Sequence, residues 1–136
     1  MRIVVDSWAW VEILKLSPEG KEAKAHIEQA EEVFTPSLAL AELARKYLRE
    51  GEGASLIRTW LQGISEVTEV YPIDIELAIE SAAAFAEISA KARREKLDSP
   101  GLGDAVMLAT ARLAQARLLT GDPHFKDLKE TLWLGN

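Results

Sequence analysis

Cysteine is missing from all 136 residues. Disulfides, thiolate metal sites and cysteine nucleophiles are therefore excluded, and the expected compartment is the reducing cytoplasm. The two histidines, His26 and His124, do not stand at ligand spacing, which disfavours zinc. No apolar run approaches the roughly 18 residues of a membrane span, so a membrane is not among the expected partners. The opening MRIVVDSWAWVEILK meets an acid at the sixth residue and offers no small-residue cleavage site, so it does not read as a signal peptide. Positive charge is also in deficit, with 16 Lys and Arg against 22 Asp and Glu and a formal net charge of −6. A scaffold that binds nucleic acid mainly by net charge is thereby disfavoured, although a local basic rim is not. What is present is ordinary globular composition, 48% apolar and 28% charged, over a length that suits one domain, residues 1–136. Such a chain buries a core without covalent staples.

Short apolar runs alternate with longer segments of helical period. Residues 2–6 are β-branched and read as a strand buried on both faces. Val33–Thr35, Val67–Ile73, Arg117–Thr120 and Thr131–Leu134 read as four more strands. Between them, Ser7 opens one helix, and Ser17 with Pro18 opens a second that runs to about Ala30. The segment after Ser37 continues to Gly51, with Leu40, Leu43, Ala44, Tyr47 and Leu48 inward. Further helices span Gly53–Gly63, Ile75 to about Lys96, and Gly103–Ala116, with a helical turn reaching Leu128. This alternation predicts the α/β class, an open parallel sheet sandwiched by helices. A closed eight-stranded barrel needs about 250 residues and is ruled out by length.

Acids recur where such a sheet binds ligands, outside the carboxyl ends of its strands. Asp6 ends the first strand, Asp122 follows the fourth, and Asp104 opens the helix that leads into the fourth. Glu42 lies about one turn into the helix that leaves the second. Taken singly, each is an unexceptional helix cap or, for Glu42 with Lys46, a surface ion pair. Together they are expensive. Two carboxylates ~5 Å apart repel by about 3 kcal/mol at an effective dielectric of 20. A cluster of three or four needs protons or a cation, and all-oxygen ligands suit Mg²⁺ or Mn²⁺.

The segments IVVDS, AELARKY, GDAVMLATA and LLTGDPHF, in that order, resemble the PIN-domain nucleases, in particular the small toxin subunits of VapBC toxin–antitoxin pairs. The resemblance spans essentially the whole chain. It aligns Asp6, Glu42, Asp104 and Asp122 with the family's acidic quartet, Thr120 with the hydroxyl residue two before the last acid, and Ser7 with the one after the first. It implies strand order 3-2-1-4-5, a metal-dependent endoribonuclease, an antitoxin partner and a homodimer. Asp6, Asp104 and Asp122 would then hold the metal. Glu42 would act through water or as a base, and Ser7 and Thr120 would orient the ligand carboxylates by hydrogen bonds. RNA would be cut to 5′-phosphate and 3′-hydroxyl ends. Trp8 and Trp10 are bulkier than the pattern leads one to expect just after Asp6, and His124 occupies a position that the family does not fix.

Two groups of cations are candidates for an RNA-facing rim: Arg45, Lys46 and Arg49 on one helix, and Lys91, Arg93, Arg94 and Lys96 at the end of another. Ordinary solvated helix faces would look the same. His124 reads as a turn residue that caps its own short helix. Rival functions are a haloacid-dehalogenase-type phosphohydrolase, whose chemistry needs an acid where Trp8 stands, and a catalytically silent PIN-like module that only binds partners.

Overall fold

Each β-branched or leucine-rich run becomes a strand, and each amphipathic run packs across it. The computed structural model describes residues 1–136. Its elements are β1 (Arg2–Val5), α1 (Ser7–Lys15), α2 (Pro18–Gln29), β2 (Glu32–Pro36), α3 (Ser37–Arg49), α4 (Ala54–Val67), β3 (Glu69–Tyr71), α5 (Ile75–Glu95), α6 (Leu102–Leu113), β4 (Arg117–Thr120) and β5 (Thr131–Trp133). A 3₁₀ turn, Pro123–Phe125, stands between the last two strands. All strands pair in parallel, in the order β3-β2-β1-β4-β5.

The two-residue period of the strands divides the interior into two cores. Val4, Phe34 and Leu118 face α5 and α6, while Ile3, Val5 and Leu119 face α1, α3 and α4. Neither face of β1 or β4 meets water, which is why those strands carry no polar alternation. Each fully buried leucine, such as Leu118 or Leu119, contributes about 2 kcal/mol of apolar transfer. The seven residues Ala105 to Ala111 of α6 are all buried, so this helix lies inside the protein and delivers Asp104 at its first turn.

Several element boundaries differ from the sequence reading; α6, for example, ends at Leu113 instead of Ala116. Val5 ends β1, and Asp6 is the N-cap of α1 instead of a strand residue. The helix expected to stop at Gly63 continues to Val67, because Ile64, directly after the glycine, is buried and Thr68 closes the end by bonding back to the Ile64 carbonyl. The third strand consequently shrinks from Val67–Ile73 to Glu69–Tyr71, an edge strand paired only with β2. Leu48, expected inward, is 64% exposed. No helix is long and apolar enough to cross a membrane.

Candidate active site

Strand order reverses between β1 and β4, and the carboxyl ends of these two strands carry Asp6 and Asp122. A crevice opens at such a point because the connections leave in opposite directions. Asp6 is 2% exposed. Its Oδ1 accepts the Ala9 amide at 2.8 Å and so caps α1. Burial pushes its carboxyl up to about 7; the Thr120 hydroxyl and Ala9 amide resist this, and the charges of Asp122 and Asp104 add to it.

Asp104 is the third residue of α6, and its carboxylate reaches back to accept the Gly101 amide at 2.9 Å. Its pKa also lies above the ordinary carboxylate range, through burial first. The Gly101 amide opposes that rise, Asp122 and Glu42 reinforce it, and His124 offsets part of it. Glu42 comes from α3. Its Oε1 accepts the Ser7 hydroxyl at 2.6 Å, and its Oε2 lies where a Cβ on Gly103 would stand 2.6 Å away. The absence of a side chain at Gly103 is thus what lets Glu42 lie against the first turn of α6. The i,i+4 pair of Glu42 with Lys46 does not form; Lys46 pairs with Glu50 instead.

Asp122 sits in a tightly tied turn. Its amide donates to Thr120 Oγ1 at 3.0 Å, and its Oδ1 accepts both the amide and Nδ1 of His124 at 2.9 Å. The other ring nitrogen of His124 donates to the Asp98 carbonyl at 2.7 Å. Both partners are acceptors, so with both bonds made the ring carries two protons and a positive charge. Burial opposes that charge, yet the Asp98 carbonyl and the Asp122 and Asp104 carboxylates outweigh it and hold the pKa above the usual histidine value. His124 is not the cap expected from the sequence: Asp122 caps the turn by accepting the His124 amide, and His124 lies within it. Its ring bridges Asp122 and the loop before α6. Its spacing from Asp122 was visible in the sequence, whereas the contact with Asp98, 26 residues away, was not.

The four acids thus share one rim and one electrostatic field, each with an oxygen engaged by the protein. No three acidic or histidine side chains stand close enough to close around a single ion. The donor chemistry nonetheless fits a hard dication: the four acids, Ser7 and Thr120 offer only carboxylate and hydroxyl oxygens, both ring nitrogens of His124 are engaged by Asp122 and Asp98, and the buried Asp6 carboxyl lacks a cationic partner. Trp8 lies against the turn that carries Asp122. A Cβ on Gly121 would lie 2.6 and 2.8 Å from its ring carbons Cζ3 and Cζ2, so the indole packs directly onto the backbone beside Asp122. Of the cations expected at an RNA-facing rim, Arg45, Arg49, Arg93, Arg94 and Lys96 are exposed and Lys46 is half-buried. Lys91 is 4% exposed and does not belong to that rim, because the period of α5 turns it inward with Ile88 and Ala92.

A PIN-domain family model matches residues 3–131. The chain is a PIN-domain protein. Among solved structures, this PIN domain is similar to VapBC-1 of nontypeable Haemophilus influenzae, with a TM-score of 0.71 at 13% identity, covering 98% of this chain and 96% of the other. It is similar to VapBC2 of Rickettsia felis bound to a promoter DNA fragment, with a TM-score of 0.69 at 15% identity over 98% and 97% of the two chains. A third is Mycobacterium tuberculosis VapC20, named a sarcin–ricin loop cleaving toxin, with a TM-score of 0.62 at 18% identity over 88% and 89%. No curated protein matches the sequence.

Proposed function

We propose that this PIN-domain protein is a Mg²⁺- or Mn²⁺-dependent endoribonuclease and the toxin component of a toxin–antitoxin pair, working as one domain over residues 1–136. The observation that carries the reading is the buried Asp6 carboxyl, pushed up to about 7 beside Asp104 and Asp122 at the switch point of a parallel sheet. Asp6, Asp104 and Asp122 would hold the ion. When bound, the ion supplies a positive centre that lowers the pKa of a water and offsets charge developing on the phosphoryl oxygens. Glu42, fixed by the Ser7 hydroxyl, is placed to accept a proton from the attacking water. Thr120 orients Asp6 and the Asp122 backbone, and cleavage would leave 5′-phosphate and 3′-hydroxyl ends. The similarity to VapBC complexes and to a loop-cleaving toxin supports RNA as substrate and an antitoxin as partner. Exposed Ile75 and Ile79, one turn apart on α5, supply an apolar face for the homodimer that belongs to this reading.

One observation favours a second reading, a silent PIN module that only binds partners: the acids do not close around an ion as they stand. A phosphohydrolase of the haloacid-dehalogenase type is disfavoured by Trp8, which occupies the place of its proton-donating acid. Asp104→Asn decides between nuclease and silent module. With Mn²⁺ and a mixed RNA pool, the wild type is expected to cleave. The variant, with unchanged circular dichroism, should be at least about 100-fold slower, since losing even an outer partner of a metal ligand costs about 10- to 100-fold. Equal rates, or no cleavage by either protein and no thermal shift with Mn²⁺, would leave only the silent module.

In this reading Arg93 and Arg94, exposed in the last turn of α5, would meet substrate phosphates. Arg93→Glu with Arg94→Glu is expected to flatten the dependence of RNA affinity on salt, by roughly 0.7 in logarithmic slope per lost single-strand phosphate contact. An unchanged slope would mark these residues as plain solvated surface.

A further inference from the structure

Lys91 is a basic side chain that the proposed chemistry does not use, and it is nearly sealed from water, its side chain 5% exposed. Its Nζ donates to Glu95 Oε1 at 3.0 Å and to the Pro123 carbonyl at 3.4 Å. Pro123 separates Asp122 from His124, so the ammonium ties the interior of α5 to the middle of the turn that presents both residues.

Packing does not explain a lysine there. Burying an ammonium is costly, and an apolar chain of similar length fills the same space without that cost. Glu95 does not explain it either, because its side chain is 45% exposed and solvated without a partner. The Pro123 carbonyl is the contact that a methionine would lose.

We propose that Lys91 is a positioning residue for the acidic rim: it pins the Pro123 carbonyl and thereby fixes the direction of the Asp122 carboxylate. The Thr120 hydroxyl holds the near side of the turn, and His124 ties it to the Asp98 loop. Phe125, 1% exposed, anchors the far side in the core. Lys91 is the tether from α5. The inference rests on the nuclease reading for its consequence and on the Lys91–Pro123 hydrogen bond for the tether.

The test compares wild type, Lys91→Met and Lys91→Arg by amide hydrogen exchange, thermal melting and Mn²⁺ titration calorimetry. Two amides report on the turn directly: His124 N–H donates to Asp122 Oδ1, and Phe125 N–H to the Asp122 carbonyl. In Lys91→Met both should exchange faster while the melting temperature stays level or rises, and the Mn²⁺ dissociation constant should increase about tenfold. Lys91→Arg, which keeps the charge and the donors, should restore both. A Lys91→Met protein with wild-type exchange at His124 and Phe125 overturns the proposal, as does one that melts earlier yet binds Mn²⁺ as tightly as wild type. If the wild type binds no Mn²⁺, the nuclease reading fails, and the exchange rates with their rescue by arginine still decide the tether.

Discussion

In chelator at pH 8, Asp6→Asn is expected to melt above the wild-type protein, and with Mn²⁺ it is expected to have lost RNA cleavage. The argument is one of linkage. A carboxyl whose pKa is about 7 when folded and 3.8 when free is held protonated by the native state across that interval. The folded chain then binds more protons than the unfolded one, so stability falls as pH rises from about 4 to about 7 and stays low above it. The full interval corresponds to about 4 kcal/mol as an upper bound. Asparagine removes the buried charge but keeps an oxygen for the Ala9 amide, so the cap on α1 survives. Allowing for the new amide hydrogens, which must find partners, a gain of about 1–3 kcal/mol at pH 8 is expected. That is a rise of roughly 3–10 °C in Tm, and at pH 4 the two proteins should nearly coincide. Mn²⁺ should stabilise the wild type more at pH 8 than at pH 5 and the variant at neither. A variant that melts lower than wild type in chelator at pH 8 would show that Asp6 is paired, and the case for an ion there would go with it.

How much of this was legible in the sequence depends on the range of the forces involved. The strand runs at Ile3–Val5 and Arg117–Thr120 announce themselves because a strand buried on both faces leaves no room for polar residues. Asp6, Asp104 and Asp122 follow, since topology alone takes strand ends and the following helix starts to one edge. The inward direction of Lys91 was also there to be read. Ser81, Ala84, Ile88 and Lys91 step by three or four along one face of α5, and a charge on that face signals a buried partner. Its grouping with Arg93 and Arg94 followed sequence proximity instead of helical phase.

Gly63 misled for a different reason. A glycine near the end of an apolar stripe resembles a C-cap, but the cap conformation needs positive φ, and only Gly51 and Gly135 adopt it among the glycines. Contacts between distant segments were beyond reach: the Ser7 hydroxyl on Glu42, the His124 ring on the Asp98 carbonyl, and the Trp8 indole on Gly121. Each depends on how two elements pack, which no local pattern encodes.

Close approach of backbones makes the last expectation, a pair of identical substitutions with opposite signs. Gly63→Ala should stabilise the protein and Gly20→Ala should damage it. Both glycines lie within helices, where alanine is favoured by roughly 0.5–1 kcal/mol on backbone entropy alone. A Cβ at Gly63 meets nothing within 4 Å, so α4 collects that gain. A Cβ at Gly20 would fall on the Glu12 carbonyl group, 2.5 Å from its carbon, and 2.9 Å from Ile13 Cα. These are backbone atoms of α1 and have no rotamer through which to yield. The Glu12 carbonyl also accepts the Leu16 and Ser17 amides and the Ser17 hydroxyl, which in turn caps α2 through the Gly20 amide. Moving α2 away to admit a methyl group therefore breaks the α1–α2 corner. A net loss of about 2–3 kcal/mol is expected, a fall of roughly 5–12 °C in Tm against a small rise for Gly63→Ala. Because α1 carries Ser7 and Trp8 at its other end, Gly20→Ala should also slow RNA cleavage at temperatures where it remains folded. Equal Tm values for the two variants would mean that α1 and α2 are not packed backbone to backbone.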